Sequence, residues 1–130
     1  MILLDTSFLV ALENEAAAGK AGPAAALLGR LRGDRVSISV IAVGELMEGA
    51  KDIGEAWDLL RRFAIQPVGA DIARRYALIQ ARAARPMGES DAWTAATAAK
   101  MDARLVGHDA AFANRPWLKY TDFTVQKPET

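Results

Sequence analysis

The chain has 130 residues, equal numbers of acidic and basic side chains, and no cysteine. That length predicts one domain, residues 1–130, burying roughly two-thirds of the surface its unfolded chain exposes, with no need of disulfides. Missing cysteine excludes thiolate zinc sites and cysteine nucleophiles, and fits a reducing compartment; zero net charge removes the strong basic footprint of a nucleic-acid-binding domain.

Apolar runs alternate with helical periods, which predicts an α/β fold on a mostly parallel sheet. Ile2–Leu4 reads as a short buried strand. Ser7 to about Glu15 follows as a helix, with Phe8, Leu9 and Leu12 at helical spacing. Pro23 suits the first turn of a second helix reaching about Leu31. Val36–Val40 alternates with period two and reads as a strand. A helix with Val43, Leu46, Met47 and Ala50 on one face comes next, and another spans Gly54 to Phe63. Ile65 to Val68 is a short strand. Ala70 to Arg85 is the longest helix, its buried side marked by Ile72, Tyr76, Ile79 and Ala83, and Pro86 stops it. Ser90 reads as the N-cap of a helix from Asp91 to Met101 whose alanines permit close packing. Arg104–Val106 forms a further strand, Gly107-His108-Asp109 a turn, and Thr121 to Val125 an edge strand.

Four isolated acids carry the chemistry: Asp5, Glu45, Asp91 and Asp109. Each sits just after a strand or at the opening of a helix. A carboxylate at the carboxyl end of a buried strand enters the crevice where open α/β sheets bind ligands. Gathered together, such acids favour hard divalent cations, which prefer oxygen donors. Each also has a bland reading. Asp5 is a good helix N-cap, Asp91 suits a helix dipole, and Asp109 is an ordinary turn residue. Glu45 shares a face with Ile41, Glu48 and Asp52, which reads as solvated surface. The constellation is stronger than any member.

His108, the only histidine, lies in a turn beside Asp109; a surface or capping role competes with one at phosphate or leaving group. Trp57, Trp93 and Trp117 share no period and read as core or interface packing, and Met47, Met87 and Met101 as core filler. Arg61, Arg62, Arg74, Arg75, Arg82 and Arg85 concentrate cations in the middle of the chain, which reads first as solvated helix faces. No glycine-rich phosphate loop and no nucleophile elbow is present. The uncharged stretch Val36–Gly44 is too short to span a bilayer, and the N-terminus lacks a basic leader, so a cytoplasmic location is expected.

Taken in order, these segments resemble PIN-domain ribonucleases, specifically the VapC-type toxins of toxin–antitoxin pairs. Leu3-Leu4-Asp5-Thr6-Ser7 matches the opening motif; Val43-Gly44-Glu45-Leu46 with Gly49 matches the second. Ser90-Asp91-Ala92 followed by Ala95-Ala96-Thr97-Ala98 matches the third, and Leu105-Val106-Gly107-His108-Asp109 with Phe112 the fourth. One position departs: the fourth motif usually carries Ser or Thr where Gly107 stands, so a hydroxyl that would steer the last acid is missing.

The resemblance implies a three-layer α/β/α fold with a central mostly parallel sheet and a Mg²⁺- or Mn²⁺-dependent RNA endonuclease. It also implies a homodimer and a cognate antitoxin laid over apolar grooves near the first four helices. On that reading Asp5, Asp91 and Glu45 hold one or two hydrated ions, and Asp109 ligates directly or through water. Thr6 or Ser7 contacts a phosphate or orients Asp5, while Arg82 and Arg85 guide RNA phosphates. Two alternatives stay open: a catalytically silent module of the same fold that holds a basic partner, favoured by Gly107, and a metal-dependent phosphatase or DNA nuclease.

Overall fold

Ile2–Leu4 (β1) is buried at all three positions because it runs through the middle of a sheet covered on both faces. The computed structural model describes residues 1–125. Five strands, β1, Val36–Ser39 (β2), Ala64–Gln66 (β3), Arg104–Gly107 (β4) and Tyr120–Asp122 (β5), pair in the order β3-β2-β1-β4-β5. Every pairing is parallel, with Leu3 opposite Ser37 on one side and Leu105 on the other. Strand order reverses direction at β1, so the crevice beyond the carboxyl ends of β1 and β4 is where such a sheet opens to ligands.

The period-two alternation of β1 divides the core. Ile2 and Leu4 join Ile38 and Val106 against helices Thr6–Ala18 (α1), Pro23–Arg30 (α2), Val40–Gly49 (α3) and Ile53–Leu60 (α4). Leu3 and Leu105 face the other way, onto Ala92, Ala95 and Ala98 of helix Glu89–Lys100 (α6). Helix Ala70–Arg82 (α5) packs outside α6: Tyr76 stacks on Trp93 with ring centroids 4.2 Å apart, and Asp71 pairs with Lys100. The result is the expected three-layer α/β/α arrangement. Met87 is buried, and Met47 and Met101 pack against the two clusters as core filler. No described helix is long and apolar enough to cross a membrane.

Local chemistry moves several boundaries. Asp5 caps α1, which begins at Thr6 and runs to Ala18; Gly19, at φ 67°, ends it in the left-handed region. Val40 leaves the expected strand to open α3, and Ser39, the last residue of β2, caps that helix, its hydroxyl accepting from Ile41 N–H at 3.0 Å. Asp52 belongs to no acidic face of α3, which stops at Gly49; it caps α4 instead, accepting from Glu55 N–H at 3.1 Å. β3 stops at Gln66 because Pro67 has no N–H for the ladder. α5 ends at Arg82, short of Arg85, where Gln80 clamps the following loop through its amide: Nε2 donates to Met87 O at 2.8 Å and Oε1 accepts from Met87 N–H at 3.2 Å. Ser90 does not cap α6. Ala92 N–H already bonds Gly88 O at 2.9 Å, so the helix starts two residues earlier, at Glu89, and Gly88 is the cap. β5 spans Tyr120–Asp122 rather than Thr121–Val125, because Thr124 folds back through N–H and hydroxyl onto Asp122.

Candidate active site

Four separate segments deliver the four predicted acids to the carboxyl end of the sheet. Asp5 follows β1, Glu45 sits in the middle of α3, Asp91 lies in the first turn of α6, and Asp109 follows β4 and caps a single 3-10 turn, Ala110–Phe112. Their proximity shows in the electrostatics of Asp91. Burial first, then the charges of Asp109, Asp5 and Glu45, push its carboxyl up to about 6. Asp5 is almost fully buried, and desolvation raises its carboxyl too, opposed by hydrogen bonds from Ser7 and Thr6. Among the described residues none of the four pairs with a lysine or arginine. Four like charges gathered without a cation of the chain constitute a field that an added cation would neutralise.

Hydroxyls hold two of these carboxylates. Ser7 Oγ donates to Asp5 Oδ2 at 2.8 Å and accepts from His108 N–H at 2.8 Å, tying the end of β4 to the start of α1. Ser7 N–H also reaches Asp5 Oδ2 at 3.4 Å, the helix cap. The capping and site readings of Asp5 therefore coexist on one side chain. The Thr6 hydroxyl turns to Glu45 rather than Asp5, donating to Glu45 Oε1 at 2.9 Å and linking α1 to α3. Asp109 Oδ1 accepts from Ala111 N–H at 2.8 Å, and Asp109 N–H donates to the Tyr120 hydroxyl at 3.0 Å. Tyr120 escaped the sequence reading because nothing local marks a strand-opening tyrosine whose hydroxyl reaches back across the sheet to a preceding loop.

Gly107 is explained by the same contacts. A Cβ there would stand 2.9 Å from Asp5 Cβ and 3.0 Å from Ser7 Oγ. Ser7 Oγ occupies the adjoining space and steers Asp5, while Asp109 is held by Ala111 N–H. His108 turns away: its Nδ1 lies 3.1 Å from Asp122 and 3.0 Å from the Thr124 hydroxyl, so its ring belongs to the end of β5. Arg82 and Arg85 make no contact with the acids and line a separate groove beyond α5. Trp93 is packed as expected, but Trp57 and Trp117 are 42% and 44% exposed and belong to neither core cluster.

The donor set fits a hard divalent cation, being all carboxylate oxygen. It is not a closed cage. Among the described residues no three His, Cys, Asp or Glu side chains converge tightly enough to hold a metal ion. Asp5, Glu45 and Asp109 each commit an oxygen to a neighbour's N–H or hydroxyl. An open set of few carboxylates suits Mg²⁺, which keeps several of its waters.

The fold has counterparts among known proteins. The PIN domain family profile matches residues 2–118. Among solved structures, a toxin–antitoxin complex from Klebsiella pneumoniae is similar at TM-score 0.77 and 24% identity, over 95% of this chain and 98% of that one. VapBC-1 from nontypeable Haemophilus influenzae is similar at TM-score 0.76 and 23% identity, over 96% of this chain and 100% of that one. VapBC-5 from Mycobacterium tuberculosis, a member of the VapBC family of toxin–antitoxin systems, gives TM-score 0.64 and 25% identity, over 91% and 94% of the two chains. No curated protein sequence matches. The parallel sheet, the four acids at its carboxyl end and a family match spanning most of the chain lead to one assignment: the chain belongs to the PIN domain family.

Proposed function

We propose that the chain is a Mg²⁺- or Mn²⁺-dependent RNA endonuclease, the toxin of a toxin–antitoxin pair. The observation that carries this reading is the placement of four acids from four segments at the carboxyl end of a PIN-family sheet, where the charges of Asp109, Asp5 and Glu45 act on Asp91. Acids from four segments have been brought into one field, at a cost in folding energy that a bound cation offsets. Asp5 and Asp91, with Glu45 and Asp109 beside them, would hold the cation. When bound, it supplies positive charge to the scissile phosphodiester and makes water a stronger nucleophile at neutral pH.

The chain's own residues define the rest. Ser7 fixes the rotamer of Asp5, Thr6 that of Glu45, and Ala111 N–H that of Asp109. Hydrolysis adds water across the phosphorus–oxygen bond, and the departing sugar oxygen takes a proton. A silent binding module keeps Gly107 as its argument, since the Ser7 hydroxyl serves Asp5 and not Asp109. The named relatives come from toxin–antitoxin complexes, which supports an antitoxin partner here. Exposed apolar side chains on α1, α3 and α4, Val10, Val40, Ile53 and Trp57, offer it a surface, and a homodimer belongs to the same reading.

The test is cleavage of RNA by purified chain in Mg²⁺, Mn²⁺ or EDTA, with Asp5→Asn alongside. Metal-dependent cleavage that disappears in Asp5→Asn is expected, with thermal stability equal or higher, since Asn also caps helices. Cleavage of DNA or small phosphoesters in preference to RNA, or none at all by folded, metal-loaded chain, would sink the reading.

A further inference from the structure

A groove of about 650 Å³ lies beyond the C-terminal half of α5, and none of the four acids lines it. Arg75, Leu78 and Arg82 of α5 form one wall; Arg85 from the following turn, with Arg115 and Trp117 from the segment before β5, forms the other. Four guanidiniums line it and no carboxylate does. None of the four is in an ion pair among the described residues, in a chain whose charges otherwise cancel. Arg85 and Arg115 are held in place by backbone alone. Arg85 Nη2 donates to Ala113 O at 2.8 Å, Arg115 Nη1 to Arg85 O at 2.8 Å, and Arg115 Nε to Ala111 O at 2.9 Å. Carbonyl dipoles take up donors without cancelling charge. The groove keeps a net positive field, and Leu78 and Trp117 add exposed apolar surface to it.

We propose that this groove binds the single-stranded RNA flanking the scissile phosphate, with Arg75, Arg82, Arg85 and Arg115 on successive phosphates and Trp117 as a stacking platform for a base. The proposal rests on the ribonuclease reading of the acidic site and extends it. Positive grooves interleaved with aromatic side chains are how proteins hold single strands without sequence preference. A duplex keeps its bases stacked on one another and leaves Trp117 unused. A second copy of this chain would set the same four arginines against one another in a twofold contact. The groove is also tied to the acids. Arg115 anchors on the carbonyl of Ala111, whose N–H holds Asp109. Ala99 on the groove lies eight residues along α6 from Asp91, a rise of about 12 Å. A strand with one phosphate at the acids therefore has its flank within reach of the arginines.

Arg75 and Arg82 are exposed, so both can be replaced without disturbing the core. The experiment measures binding of a labelled oligoribonucleotide of about 12 nucleotides to the full chain carrying Asp5→Asn, across a range of salt. Arg75→Gln with Arg82→Gln should weaken binding and lower the salt slope by about 1.4, the contribution of two phosphate contacts on a single strand. Trp117→Ala should cost about tenfold, and Trp117→Phe much less. Arg75→Lys with Arg82→Lys should keep the slope. In chains that retain Asp5, the glutamine pair should raise KM for long RNA.

Unchanged affinity and slope in the glutamine pair, with RNA still bound and cut by the parent chain, overturns the groove and spares the ribonuclease reading. A change in oligomeric state by light scattering, or polyglutamate competing as tightly as RNA, also overturns it, in favour of a copy interface or an acidic protein partner. If the parent chain neither binds nor cuts RNA, the ribonuclease reading fails and the groove proposal with it.

Discussion

Serine at position 107 would have to place its Cβ 2.9 Å from the Cβ of Asp5, closer than two such atoms come. Asp5 cannot yield easily, since its N–H bonds Val106 O at 2.8 Å and its carboxylate caps α1. Restoring the usual hydroxyl should therefore damage the site. Gly107→Ser is expected to lose about 1–3 kcal/mol by urea unfolding, the usual cost of overpacking, and to cut at least tenfold more slowly. A variant as stable and as active as the parent would show that Ser7 and residue 107 are not alternatives for one space. Asp91 gives a prediction of the opposite sign. Its folded-state carboxyl lies at about 6, above the ordinary 3.8, so its contribution to stability is present at low pH and is lost as pH rises through 6. In EDTA, Asp91→Asn should melt higher than the parent at pH 8, by about 4 °C for each kcal/mol of repulsion removed. At pH 4 the advantage should vanish. Calorimetry at both values checks it; a variant that melts lower at pH 8 contradicts it.

Between residue and fold, the α1–α2 corner shows how one element closes another. Pro23 opens α2, but Gly22 offers no side-chain cap. Glu15, on the last turn of α1, fills the place: its carboxylate accepts from Gly22 N–H at 2.6 Å and from Ala24 and Ala25 N–H at 3.0 Å each. Burial acts to raise the Glu15 carboxyl, but these three hydrogen bonds outweigh it and hold the group below its usual range. A lowered carboxyl stabilises above the unfolded value near 4.5 and loses that contribution as pH falls through its folded value. Glu15→Ala should lower stability by about 1 kcal/mol at pH 7, as loss of a helix cap does, and the deficit should shrink below pH 4. A deficit independent of pH would assign the effect to packing. The pairing was invisible in sequence because the donors lie seven to ten residues from the carboxylate, across a turn whose geometry no local rule sets.

Across the whole molecule, two surfaces separate by character. Arginines crowd the far end of α5, while α1, α3 and α4 expose Val10, Val40, Ile53 and Trp57. The second surface is the one proposed for the antitoxin. Ile53→Ser with Trp57→Ser should weaken antitoxin binding at least tenfold by titration calorimetry and leave cleavage by the free toxin unchanged. Both side chains are exposed, so the melting temperature should hold. Undiminished antitoxin affinity would place its footprint elsewhere.

Period-two and helical spacing fixed the α/β class, the strand at Ile2–Leu4, and which alanines of α6 face the core, because burial on one face or two writes itself directly into local pattern. The four acids were also legible, each marked by its place beside a strand or helix end. Helix ends were less so. Asp52 and Ser90 exchanged their expected roles because the competing donor or carbonyl, Glu55 N–H in one case and Gly88 O in the other, is chosen by the path of the chain. Tertiary structure alone decided that Thr6 serves Glu45, that His108 serves Asp122, and that Arg115 and Trp117 join the arginines of α5. The first two contacts span 39 and 14 residues, distances over which sequence sets composition but only parallel pairing of β1, β2, β4 and β5 sets position.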